Sequence, residues 1–218
     1  MTRQLLIGVA AAVSMGAALA DPVTFTGFAN GSQTVRGVLS DPNSPRDLTV
    51  SAGGFSTLWG GQSFVSYCVD FYQWLPGFGS TNTSYSLTDA GSFFGSRLDA
   101  VGRLFSGRAA EVDTAVEQAA FQIALWEIRY EASGNAFDTS SGAAVFSDAG
   151  DDARSLAQTY LNGLAGYSNT YDVRVLASGT NQDVVFAAPV PEPSTYALML
   201  AGLAAVGFMA RRRNAQRT

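Results

Sequence analysis

The chain of 218 residues contains no histidine, and its thirteen basic residues are all arginine, so lysine is missing as well. Without histidine there is no Ser-His-Asp triad, no Cys-His dyad and no His-based metal site. Without lysine there is no Schiff base and no Lys-based isopeptide crosslink within the chain. The single cysteine, Cys68, excludes an intrachain disulfide. In an exported protein, one leftover cysteine points to intermolecular pairing or to unusual thiol chemistry. Positive charge is scarce between residues 21 and 189, where 8 Arg face 17 Asp plus Glu for a net charge of −9. That balance disfavours nucleic acid and anionic lipid as partners of this region, because both need clustered cations.

Both ends read as targeting segments. Residues 1–20 open with Arg3, continue through the apolar run Leu5 to Ala12, and end Ala18-Leu19-Ala20 before Asp21. A positive start, a short apolar core and small residues at −3 and −1 predict a secretory signal peptide. At the other end, residues 195–210 form an uncharged stretch of 16, followed by Arg211, Arg212 and Arg213. That length is at or just below the lower limit for a spanning helix, extendable by arginine snorkelling, and the arginines predict a cytoplasmic C-terminus.

Between these ends lies enough chain for one domain, or two small ones, with a proper core. "VTFTGFA" and "QTVRGVLS" read as strands separated by the hairpin signal Asn30-Gly31, and "DPNSP" (41–45) as a turn. "DLTVSAGGFSTLW" and "SFVSYCVDFYQWL" follow as extended segments around Gly60-Gly61. In the second, alternation places Cys68 with Ser66, Asp70 and Tyr72 on the more polar face. The middle turns helical: "SRLDAVGRLF" (96–105) predicts a short helix, and 109–131 is the longest periodic segment. The second half of that segment is apolar almost all round, which argues burial on more than one face. Within it stands Gln122, between Phe121 and Ile123 and one turn before Trp126. A further helix is predicted over 151–164, and "YDVRVLAS" and "DVVFAA" close the domain as strands joined by "GTNQ". The expected fold class is α+β, a sheet or sandwich of N- and C-terminal strands with a central helical region.

Carboxylate chemistry is thinly supplied. Asp113/Glu117 and Glu127/Glu131 are i,i+4 pairs that would serve glycoside hydrolysis only if they faced a cleft, and a solvated helix face explains them better. Asp148, Asp151 and Asp152 lie near glycine but fit no EF-hand spacing, so caps and turns account for them and no metal or cofactor is expected.

The order Pro191-Glu192-Pro193, apolar helix and terminal Arg211-Arg212-Arg213 resembles the PEP-CTERM sorting signal of Gram-negative bacteria that make extracellular polysaccharide. The resemblance implies processing by the membrane protease exosortase, transient inner-membrane anchoring through 195–210, and delivery to the cell surface or extracellular matrix.

A second resemblance joins the two isolated residues. Tyr67-Cys68-Val69-Asp70 and Phe121-Gln122-Ile123-Ala124-Leu125-Trp126 are similar to the paired motifs of bacterial surface thioester domains. In that family an aromatic-Cys-apolar strand motif supplies a thiol, and a helical apolar-Gln-x-Ala-apolar-Trp motif supplies an amide. Phe121 stands where the family often has threonine. The resemblance implies that the Cys68 sulfur bonds to the Gln122 side-chain carbonyl with loss of ammonia. Tyr67, Tyr72 and Trp126 are then the candidates for shielding that bond from water. The thioester would acylate an amine on a target or matrix polysaccharide once, without turnover, so the chain is not expected to be an enzyme. The organisation expected is a signal peptide at 1–20, an exported thioester-like domain at 21–189 and a sorting tail at 190–218. Two rival functions are a non-covalent structural protein of the exopolysaccharide matrix and a polysaccharide hydrolase using carboxylates.

Overall fold

The computed structural model describes residues 21–149 and 151–189, together with 199, 201–203 and 206. The predicted signal peptide and the motif residues Pro191 to Pro193 and Arg211 to Arg213 lie outside the described residues. Of the predicted apolar helix 195–210, the described positions are helical and exposed. Among the described residues no helix is long and apolar enough to cross a membrane.

The elements run β1 (Val23–Phe28), β2 (Gln33–Leu39), β3 (Arg46–Ala52), β4 (Phe55–Trp59), β5 (Gln62–Cys68), β6 (Thr81–Asn82), β7 (Tyr85–Thr88), α1 (Ala90–Phe94), α2 (Leu98–Arg108), α3 (Ala115–Tyr130), β8 (Ala144–Asp148), α4 (Asp152–Asn162), β9 (Tyr171–Ser178) and β10 (Val184–Pro189). They build an antiparallel sheet in the order β6-β1-β4-β5-β10-β9-β7 and a smaller sheet β3-β2-β8. The fold is α+β, with N- and C-terminal strands meeting where β5 pairs with β10.

Asn30-Gly31 does not close a hairpin. β1 pairs with β4 and β6, whereas β2 pairs with β3 and β8, so the turn carries the chain from the large sheet to the small one. Gly53-Gly54 carries it back, and the two crossings touch: a Cβ on Gly53 would lie 2.7 Å from the Gly31 carbonyl oxygen. "DLTVSAGGFSTLW" is therefore two strands in different sheets. A local turn signal cannot report this, because strand partners are chosen by distant chain. The hairpins at Gly60-Gly61 and between β9 and β10 do form.

The long helix begins at Ala115, six residues later than its periodicity suggests. Thr114 and Glu117 close a capping box there, the Glu117 carboxylate accepting the Thr114 N–H at 2.9 Å. Residues 109–111 make a separate 3₁₀ turn. From Gln118 to Ile128 every residue of α3 is buried. The helix packs against β5, the small sheet, α2 and α4, which explains why its apolar character runs all round.

Candidate functional site

β4 stops pairing with β5 at Phe55 opposite Ser66, because Gly54 and Gly53 turn away toward β3. β5 continues for two more residues and keeps β10 on its other side, with Val184 opposite Cys68. The backbone of Cys68 is thus left without a strand partner on the β4 side, inside the core. Gln122 fills that vacant edge. The Cys68 N–H donates to Gln122 Oε1 at 2.9 Å, and Gln122 Nε2 donates to the Cys68 carbonyl at 2.7 Å. Both residues are buried, Gln122 at 1% exposure and Cys68 at 2%. The side-chain amide does what a neighbouring strand residue would do, so a polar group inside an apolar helix is satisfied.

One turn earlier, Gln118 performs the matching task at the end of β4. Its Oε1 accepts from the Gly54 N–H and from the Tyr67 hydroxyl, both at 3.0 Å, while Nε2 donates to the Val112 carbonyl. A Cβ on Gly54 would stand 2.5 Å from Gln118 Oε1, so glycine is required by close approach. Beyond Cys68, the Tyr130 hydroxyl accepts from the Phe71 N–H and donates to the Val69 carbonyl, and Gln182 Nε2 donates to the Asp70 carbonyl. Sequence reasoning missed Gln118, Tyr130 and Gln182. The i,i+4 repeat of Gln118 and Gln122 on a buried helix was the available signal; nothing local marks Gln182.

The Cys68 thiol donates to the Asp70 carbonyl at 3.0 Å. Cys68 and Ser66 do not share a polar surface, as alternation suggested. Ser66 is fully buried and bonded to Thr57 at 2.7 Å, and with Ser66, Tyr67 and Cys68 buried in succession both faces of this end of β5 are covered. Burial pushes the Cys68 thiol well above its ordinary pKa. The Asp70 backbone opposes that rise, and the Asp70 and Asp183 carboxylates add to it. The thiol is therefore protonated near neutrality.

Cys68 and Gln122 share a cavity of about 620 Å³ whose walls include Trp126, Phe71 and Tyr72, with Trp74 and Phe78 exposed among its lining residues. Phe71 meets Trp126 edge-on at 4.5 Å, and Phe146 stacks on Trp126 at 6.0 Å. Tyr72 lies under the Arg46 guanidinium, 4.8 Å from ring to cation. Tyr67 does not line this cavity; its ring packs on Phe121 at 4.4 Å, on the Gln118 side. Trp126 is 3% exposed, yet its Nε1–H is buried and finds no hydrogen-bond partner among the described residues. A donor left so costs roughly 1–3 kcal/mol.

Among the described residues lining the cavity, Arg46 is charged and no carboxylate joins it. The helix carboxylates are occupied elsewhere. Glu117 caps α3, and Glu131 accepts from Ala132, Asn135 and Ala143. Burial opposes the Glu131 charge, but those donors hold its carboxyl below the ordinary range. Glu127 accepts from the Asp138 N–H through one oxygen, and the other has no partner among the described residues. Its carboxyl is pushed up to about 7, first by burial and then by the neighbouring Glu131 and Asp138 charges. Asp148 accepts from the Ala153 and Arg154 N–H groups at the start of α4. Among the described residues, no group of three or more such ligands is placed to hold a metal ion.

The C-terminal segment decides the sorting route. Residues 189–213 match the PEP-CTERM protein-sorting motif. The PEP-CTERM tail implies export, a C-terminal anchor and processing by exosortase. No curated protein matches the chain. Two solved structures are similar to it. One is the N-terminal thioester domain of a surface protein from Clostridium perfringens, a cysteine-to-alanine mutant, at 14% identity and TM-score 0.43, covering 72% of this chain and 99% of that one. The other is the thioester domain of the Staphylococcus aureus TIE protein, at 10% identity and TM-score 0.41, covering 77% of each.

Proposed function

We propose that the domain delivered by the PEP-CTERM tail captures a surface or matrix target covalently, through a thioester between Cys68 and Gln122. The observation that carries this reading is the double hydrogen bond that clamps the Gln122 amide onto the backbone of the cysteine itself. In forming the bond, the Cys68 sulfur attacks Gln122 Cδ. Charge then develops on Oε1, which already holds the Cys68 N–H, so that donor is in place for the tetrahedral intermediate. The carbon–nitrogen bond breaks, and the thiol proton leaves with the amide nitrogen as ammonia. An amide is a poor electrophile and the thiol is protonated, so the reaction depends on held proximity, which supplies several kcal/mol. The surrounding aromatic walls keep water from the product.

Capture reverses the roles. A neutral amine on the target attacks Cδ, and Cys68 is released as a thiol, leaving an amide bond to Gln122. The chain itself carries no lysine to consume the thioester. The target is a protein amine or an amine-bearing matrix polysaccharide, engaged once per molecule.

Intact mass tests the reading. The secreted protein is expected roughly 17 Da lighter than its processed sequence, the mass of the ammonia lost, with Cys68 and Gln122 in one linked peptide pair. An unchanged mass, with no methylamine adduct on Gln122, would favour a non-covalent matrix protein instead.

A further inference from the structure

We propose that the Trp126 indole N–H receives the Cys68 sulfur as it becomes an anion during capture, which makes Trp126 a catalytic residue for thioester opening. The inference rests on the thioester reading and assigns Trp126 more than the shielding expected of its ring.

Three observations converge on this N–H. It is a buried donor with no partner among the described residues, on a side chain 3% exposed. The indole is packed edge-on against Phe71 at 4.5 Å and stacked on Phe146 at 6.0 Å, which fixes its orientation. It stands one helical turn beyond Gln122 and lines the same cavity as Cys68 and Gln122. Buried donors are normally satisfied, and one that gains its partner only as the reaction proceeds favours the transition state over the ground state.

The division of donors supports the assignment. The Cys68 N–H is already committed to Gln122 Oε1, where the carbonyl charge develops. The departing sulfur needs its own donor, and neither His nor Lys exists to supply one. In the capture step the amine nitrogen forms a bond to Cδ and the Cδ–Sγ bond breaks. The electron pair goes to sulfur beside the indole N–H, and a proton from the amine then restores the thiol. Thioester and amine become amide and thiol, with no further reactant.

The test compares the wild-type chain with Trp126→Phe and with an isostere carrying benzothiophene at position 126, in which sulfur replaces the indole N–H. The isostere is made with Trp59→Phe and Trp74→Phe, so that position 126 alone takes the analogue, and is compared with that same background carrying tryptophan. Methylamine is the probe, and mass spectrometry follows both its adduct and hydrolysis. Loss of one charge-assisted hydrogen bond is expected to slow aminolysis roughly 10- to 100-fold. Hydrolysis should slow with it, because it expels the same sulfur. A ring that only shields predicts the opposite sign for Trp126→Phe and no change for the isostere. Aminolysis of the isostere at the rate of its background overturns the proposal, whatever Trp126→Phe does. If Trp126→Phe fails to fold or to close the bond, the isostere carries the comparison. An isostere that folds but cannot close the bond supports the proposal, since closure and opening pass through the same sulfur. A wild-type chain without the mass deficit overturns the thioester reading itself, a separate result.

Discussion

Gln122 is bonded to the backbone of Cys68 and not to its thiol: one N–H is accepted and one carbonyl is satisfied, at 2.9 and 2.7 Å. The amide is therefore held in place whether or not a sulfur is present. This separates the structural duty of Gln122 from the proposed chemistry of Cys68, and the separation can be measured.

Cys68→Ala and Gln122→Ala both remove any thioester, so the difference between them reports the hydrogen bonds. Gln122→Ala leaves a buried N–H and a buried carbonyl unpaired and opens a cavity in the core. It is expected to be less stable than Cys68→Ala by about 2–4 kcal/mol. Urea unfolding of the two variants checks this; equal midpoints would show that the clamp contributes nothing.

Gly54→Ala forces a methyl group to within 2.5 Å of Gln118 Oε1 and 2.9 Å of the Tyr67 ring. Backbone and a bonded side chain would both have to move, at a cost of about 2–4 kcal/mol. The expected readout is a lowered thermal midpoint. If a thioester forms in the parent, the extent of closure should fall as well, because the end of β5 shifts.

Glu127 makes stability depend on pH. Its carboxyl is raised to about 7 in the folded chain from an ordinary 4.5, so between those values the folded state holds a proton that the unfolded state has released. Stability is full below the lower value and falls as pH rises through the window, by roughly 1–3 kcal/mol. Glu127→Gln should flatten that decline. Denaturant midpoints measured between pH 4 and 8 supply the check, and parallel profiles for the two proteins would refute it.

In Gln122→Ala the Cys68 thiol is free, and the burial that raises its pKa in the parent is expected to persist. Iodoacetamide should label it at least about tenfold more slowly at pH 8 than an unfolded peptide of the same sequence. The rate should rise with pH beyond the range where an exposed thiol has levelled off. Labelling at the peptide's rate would show that the site opens to solvent.

Much of the helical layout was legible in the sequence, because a 3.6-residue period is a local property. Leu98, Val101 and Phe105 mark α2, and Val116, Ala119, Ile123 and Trp126 mark α3. The start of α3 was misplaced, since Val112 continues the period while the Thr114–Glu117 cap ends it. β8, which completes the small sheet on β2, left no clear mark: "AVFSD" is too short to be told from a loop. The candidate pair was legible through its motifs, but its neighbours were not. Gln118 looked like an ordinary helix residue, and Tyr67 looked like a shield although it packs away from the cavity.

By itself the sequence determined which chemistry is excluded, since residue types that are absent cannot be assembled by any fold. It also determined the sorting tail and the one cysteine available for a bond. Only the tertiary structure decided that β1 and β2 part into different sheets and that the end of β5 is buried on both faces. It alone set the Gln122 amide against the Cys68 backbone. Those outcomes depend on which distant segments desolvate one another, and period and propensity carry no information about that choice.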